Sequence, residues 1–287
     1  MNKPDLSLQD KSDFYLMLAR AFMAPMDQNT YQAIVEFLAD DLAELDVELG
    51  YGLGPHIAAL REQLAKVPSQ EELLIIYSRI FLQPPREAQI NPGMYLDGAL
   101  MGGTVAEMEA FYRKFNVMRG EHFRDLPDHV AIQLEFVAYL YARAAEAREM
   151  GRHDNEAEAG AGHFLFQFVN RWMPKFHADL EKVTRELDEI MLPANPYLPL
   201  ASILGDAAAR DALANPEWLP VKKRVDKAID KARADYAARG ITEEDMAEME
   251  RKLKEKGLSV DHLKIPAENR DAVMGWTAKT PPDPRRK

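Results

Sequence analysis

Asp128 and His129 are the two neighbouring side chains best equipped for chemistry: a carboxylate beside an imidazole, directly after Pro127 and at the head of a long apolar run. As an acid–base couple, the carboxylate would orient an imidazole that moves a proton near neutral pH. Adjacent residues on a helix diverge by about 100°, so the two do not naturally face one another. Two other readings compete. Asp128 can be the N-cap of the helix it precedes, accepting from first-turn amides, with His129 a partly buried hydrogen-bonder. Alternatively, both can face a ligand bound at the end of a core helix. Other chemistries lack residues to carry them. There is no phosphate-cradling glycine loop, dinucleotide fingerprint, nucleophile elbow or HExxH pair. The absence of ExxH argues against a di-iron carboxylate bundle. The seven histidines, at 56, 122, 129, 153, 163, 177 and 262, lack metal-ligand spacing. The chain contains no cysteine, which excludes disulfides and thiolate metal sites. No catalytic residue, metal or cofactor is expected.

The element that positions the pair is the stretch from Asp128 to Met150. Val130, Leu134, Val137 and Tyr141 form one helical stripe, and Ile132, Phe136, Tyr139 and Leu140 widen it until the first half is apolar nearly all round. Such a helix belongs in the middle of a bundle. Its second half is amphipathic and stops near Gly151. Around it nearly every segment reads as helix. The pattern predicts helices over 12–23 and 30–49, one opening at Pro55, and one capped by Ser69 with Glu72 and running to Leu82. A further helix is capped by Thr104 with Glu107, another spans 156–172, and one restarts at Pro174 and ends near Pro193. The Pro- and Gly-rich segment 83–103 cannot be one helix. With Ile90, Met94, Tyr95, Leu96, Leu100 and Met101 it is too apolar for a free linker and must pack on something. From Asn195 short helices between prolines are expected. A basic amphipathic helix (221–239), a charged helix (242–256) and a disordered end follow. The predicted architecture is all-α: a single-domain helical bundle over 1–200 with a helical C-terminal extension over 201–287.

Charge and composition narrow the function classes. Hydrophobic residues make up 47% of 287, enough for a core of domain size. The net charge of -11 is uneven: residues 221–287 carry 17 Lys/Arg against 13 Asp/Glu, and the remainder 19 against 34. An acidic body disfavours nucleic acid as a ligand and is compatible with a basic peptide. No leader-like start or membrane-length apolar run is seen, so a soluble cytoplasmic protein without membrane insertion is expected. In the segment YSRIFLQPP, Tyr77, Ile80 and Phe81 read as buried. They also read as one edge of an apolar groove which, lined with carboxylates, would suit an amphipathic peptide bearing arginines.

Taken in order, these segments resemble the TorD/DmsD/NarJ superfamily of redox-enzyme maturation chaperones. The resemblance rests on Tyr77, Ile80, Phe81 and Pro84, then the loop NPGMYLDGALMG, then PDHVAIQLEF, and last Trp172, Pro174 and Phe176. It covers roughly residues 10–195. It implies an all-α chaperone rather than an enzyme. The partner would be the twin-arginine leader, or N-terminal region, of the catalytic subunit of a DMSO-reductase-family molybdoenzyme, held in the cytoplasm while its cofactor is inserted. The peptide-binding residues it implies are Tyr77, Phe81, Tyr95, Asp128, His129 and Glu135. The sequence departs from the pattern at Gly93-Met94 before Tyr95, where many relatives carry a small polar residue, and in its longer tail.

Two rival readings remain at this level. One is a helical adaptor that docks a partner through the basic C-terminal region; the other is a helical-bundle hydrolase using Asp128 and His129. Long connections between helices also leave room for exchange into a homodimer.

Overall fold

The computed structural model of the chain describes residues 7–117, 125–152 and 154–214. These residues are all-α, with no strand among them. The elements are α1 (Ser7–Ala21), α2 (Gln28–Gln32), α3 (Leu38–Leu49), α4 (Gly54–Leu64), α5 (Gln70–Phe81), α6 (Gly93–Asp97), α7 (Gly103–Lys114), α8 (Val130–Glu149), α9 (Asn155–Phe164), α10 (Asn170–Arg185) and α11 (Tyr197–Ala214). The predicted helices over 242–256 and 221–239 lie outside the described residues. No helix among those described is long and apolar enough to cross a membrane.

α8 is the central element, as its pattern demands. Val130, Leu134, Val137, Leu140 and Tyr141 have no exposed surface. The helix packs most extensively against α1 and then α9. α1 contributes Phe14, Tyr15 and Leu18, and Phe22 follows directly after it, all fully buried. α8 is not covered all round, however. Tyr139 is 42% exposed, and with the half-buried Ile132 it leaves one apolar strip of α8 facing solvent.

Local capping differs from expectation in two places: at α7 a more distant carboxylate wins, and at α8 an imidazole replaces the expected carboxylate. Ser69 caps α5 as predicted, accepting from the Glu72 amide at 3.2 Å. Thr104 does not cap α7, whose N-cap is Gly102. Thr104 instead donates both its amide (3.0 Å) and its hydroxyl (2.6 Å) to the carboxylate of Asp97, seven residues back. A charged acceptor at a helix N-terminus outcompetes a hydroxyl because it also answers the helix dipole. The other case, at α8, belongs to the site.

The prolines interrupt less than their presence predicts. Residues 155–185 run through Pro174 as helix, with one wide π-type turn at Leu165–Val169. Burial of Trp172, Met173 and Phe176 around the proline outweighs the single hydrogen bond it forfeits. Pro199 falls in the first turn of α11, where a missing N–H costs nothing, so residues 197–214 form one continuous helix rather than short pieces. α11 packs on α10 and α4 and buries Tyr197, Leu200, Ile203, Leu204 and Ala207. Core packing therefore continues along α11 as far as Ala212.

α11 is held by a buried polar cluster that hydrophobic patterning could not reveal. Asp211 is 1% exposed. It accepts from Lys11 Nζ at 2.6 Å, Tyr15 Oη at 2.9 Å and Tyr51 Oη at 2.7 Å. The cluster ties α11 to α1 and to the turn before α4. Burial beside this carboxylate pushes the Tyr15 and Tyr51 hydroxyls well above their ordinary range, so both stay protonated as donors.

Candidate functional site

The site is built where the α5 end, the segment 88–97 and the start of α8 meet. The N-cap of α8 is His129, not Asp128. Its Nδ1 accepts from the Ala131 amide at 3.1 Å. Asp128 turns the other way. Its Oδ2 accepts from the Gly93 amide at 2.8 Å, with the Asn91 amide group at the edge of hydrogen-bond range, 3.5 Å, from Oδ1. The loop returns the contact, because Ile90 O accepts from the Val130 amide at 3.0 Å. Loop and helix start thus cap each other, which satisfies first-turn amides that would otherwise be buried without partners. The first part of the segment is packed down, with Ala88 and Ile90 at 0% and 3% exposure, whereas Leu100 and Met101, expected to pack, are exposed.

Gly93 is where this approach is closest. A Cβ there would lie 2.7 Å from Asp128 Oδ2 and 2.8 Å from a Val105 methyl carbon. A residue without a Cβ at this position thus lets the carboxylate reach the loop backbone.

Tyr77 and Phe81 join the same centre from α5. The Tyr77 hydroxyl lies 3.4 Å from His129 Nε2, and its ring is edge-on to Phe81 at 5.1 Å. Phe81 stacks on Phe176 and meets Tyr197 edge-on. Tyr95, from α6, packs on Phe176 in turn. Its hydroxyl donates to Asp179 Oδ2 at 2.7 Å and accepts from the Gln89 amide at 2.9 Å. Five of the six predicted residues therefore converge. Four of them, Tyr77, Phe81, Asp128 and His129, are buried, none more than 3% exposed, while Tyr95 is half-buried.

Glu135 stands apart from that centre. It faces outward from α8 and lines a separate hollow of about 660 Å³ with Tyr112, Ile132, Phe136, Tyr139, Pro127 and Glu109 among its neighbours. Pro127 connects the two regions: it precedes Asp128, and its carbonyl accepts from the Tyr112 hydroxyl at 3.1 Å.

Sequence reasoning missed Gln133 and Asn91. Gln133 is fully buried; its Nε2 donates to Asp128 O at 2.7 Å and its Oε1 accepts from Trp172 Nε1 at 3.1 Å. A glutamine inside an otherwise apolar helical turn, four residues after His129, was the available signal.

The electrostatics separate Asp128 from His129. Burial raises the Asp128 carboxyl, and the Gly93 amide partly opposes this. Burial lowers the imidazole of His129 from its ordinary value of 6.5, with the Asp125 carboxylate opposing. Because Nδ1 accepts an amide proton, the neutral ring carries its own proton on Nε2. With Asp128 held by Gly93 and His129 by Ala131, the acid–base couple is not assembled.

A pH dependence follows with a definite sign. The folded state resists protonating His129 while the unfolded chain accepts the proton, so stability falls as pH drops below 6.5. The slope for one proton is at most about 1.4 kcal/mol per pH unit. His129→Asn retains a capping acceptor but cannot titrate. Urea unfolding at pH 7 and pH 5 should show wild type losing more stability than the variant. An equal loss in both would mean His129 is not held neutral.

Comparison with known proteins agrees with this construction. Residues 46–178 match the family model described as nitrate reductase delta subunit. The chain is 26% identical over 175 residues to the chaperone protein TorD of Vibrio vulnificus (strain YJ016), covering 58% of this chain and 80% of that one. It is 33% identical over 95 residues to the selenate reductase assembly chaperone protein of Thauera selenatis, covering 33% and 47%. A match of the same identity and extent is found with the chlorate reductase assembly chaperone protein of Ideonella dechloratans. No solved structure matches. The ordered motifs, the all-helical bundle built on α8 and these relatives all support the TorD/DmsD/NarJ superfamily of redox-enzyme maturation chaperones.

Proposed function

We propose that this chaperone binds the N-terminal leader of the catalytic subunit of a DMSO-reductase-family molybdoenzyme in the cytoplasm and holds it while cofactor is inserted. It acts by binding, not turnover. The observation that carries this reading is the mutual capping of the loop by Asp128 and of α8 by Ile90, which brings Tyr77, Phe81, Tyr95, Asp128 and His129 to one centre. The buried members do not touch the leader themselves. They fix the course of the loop and the end of α5, whose outer side chains, Leu82, Leu100 and Met101, are 46–53% exposed. Apolar side chains on a backbone pinned from beneath suit an apolar leader stretch, because little ordering is left for binding to impose. The acidic body attracts the leader's basic segment.

The test is calorimetric titration of the full chain with a synthetic peptide carrying two adjacent arginines followed by an apolar stretch. Saturable binding that weakens with added salt is expected. Tyr77→Phe, which keeps the ring but removes the hydroxyl facing His129, should weaken binding by about threefold while leaving the circular dichroism unchanged, given the modest worth of one neutral hydrogen bond. A wild-type chain that takes up no peptide would end the proposal.

A further inference from the structure

The hollow between α7 and α8 has no part in the network just described and lies within the size range of ligand sites. Its walls are aromatic and aliphatic: Tyr112, Phe136, Tyr139 and Ile132. Tyr139 and Ile132 are the apolar strip of α8 left open among the described residues. Glu109 and Glu135 stand at its rim, with Arg113. Two of the cations nearby are already engaged. Arg113 Nη1 is 4.0 Å from Glu109 Oε2, and Arg143 Nε donates to Asp154 Oδ2 at 2.7 Å. Among the described residues Glu135 takes no hydrogen bond and no ion pair. Desolvation by its apolar surroundings nevertheless raises its carboxyl, with Arg20 opposing from a distance.

A carboxylate without a cation of its own, beside open aromatic faces, is the chemistry that recognises a guanidinium. The carboxylate takes the forked N–H donors, and the ring faces take the charge. A phosphate or carboxylate ligand would meet two acids there. We propose that the α7–α8 hollow is a cation subsite in which Glu135 and the ring of Tyr139 receive one arginine side chain of the client leader. The proposal rests on the leader reading and adds a location to it: the basic end of the leader lies across α8, away from the loop, and the apolar stretch lies toward the loop and the α5 end.

The experiment is fluorescence anisotropy of the full chain with two labelled peptides, one with the adjacent arginines and one with both replaced by glutamine. Wild type should bind the arginine peptide about tenfold more tightly, the worth of a half-exposed charge-assisted contact. In E135Q, and in Tyr139→Leu, that preference should collapse while binding of the glutamine peptide is unchanged, a coupling that a general loss of fold would not produce. A preference that survives in both variants overturns the subsite and leaves the leader reading standing. Equal wild-type affinity for the two peptides does the same. Failure of wild type to bind either peptide overturns both.

Discussion

Replacing Asp211 with alanine should destabilise the bundle by about 3–5 kcal/mol, the largest single-residue effect expected, because it leaves a half-buried lysine charge and two buried tyrosine hydroxyls without their shared acceptor. Lys11 Nζ is 17% exposed at the side-chain level and meets Asp211 at 2.6 Å. The hydroxyls of Tyr15 and Tyr51 converge on the same carboxylate. Losing the acceptor leaves all three donors without it. Asn at the same position keeps an acceptor for the tyrosines but not the charge for Lys11, so Asp211→Asn should lie between wild type and alanine. Urea unfolding measures the difference, and hydrogen exchange localises it: amides of α11 and of the first turns of α1 should lose protection first. A midpoint shift worth less than about 1 kcal/mol in Asp211→Ala would show that apolar packing alone holds α11.

Asp128→Ala should have the second-largest effect, and it should act on both stability and binding. The carboxylate is fully buried and takes the Gly93 amide at 2.8 Å. Removing it strands that amide in the interior, at a cost of about 1.5–3 kcal/mol for a hydrogen bond to a charged group. For a chain of this length that corresponds to a melting shift of roughly 4–10 °C. The α8 cap survives, since His129 supplies it, so helix content should be unchanged. The loop, released from α8, should bind the arginine-containing leader peptide about tenfold more weakly, because it must be ordered on binding. Two measurements decide: thermal melting with circular dichroism, and peptide titration at a temperature where the variant is folded. Unaltered affinity in a folded, destabilised variant would confine Asp128 to stability and detach the loop from the leader site.

The two predictions concern residues that the sequence presents very differently. Asp128 stands out at once, beside a histidine and after a proline at the head of the most apolar helix. What it does there was not readable. An N-cap and a loop clamp require the same residue type at the same position, and only the position of Gly93 decides between them. The α7 cap shows the same limit: Thr104 with Glu107 matches a capping box in spacing, but Asp97 reaches the helix first. Asp211 offered no signal, since its donors come from Lys11, Tyr15 and Tyr51, at least 160 residues away in the chain.

Local physics written into the chain determined the all-helical class, the central place of α8 and the buried loop at 88–93; the residues expected at its head came from the family resemblance. Helical periodicity reports which face of a segment is apolar, and burying those faces together leaves few arrangements. Tertiary structure alone decided which carboxylate satisfies which amide, that Pro174 and Pro199 lie within helices, and that α11 belongs to the bundle. It also decided that the apolar strip of Ile132 and Tyr139 faces outward beside Glu135. Each of these depends on a group distant in sequence coming within about 3 Å, or failing to arrive, and that proximity is settled when the whole core closes.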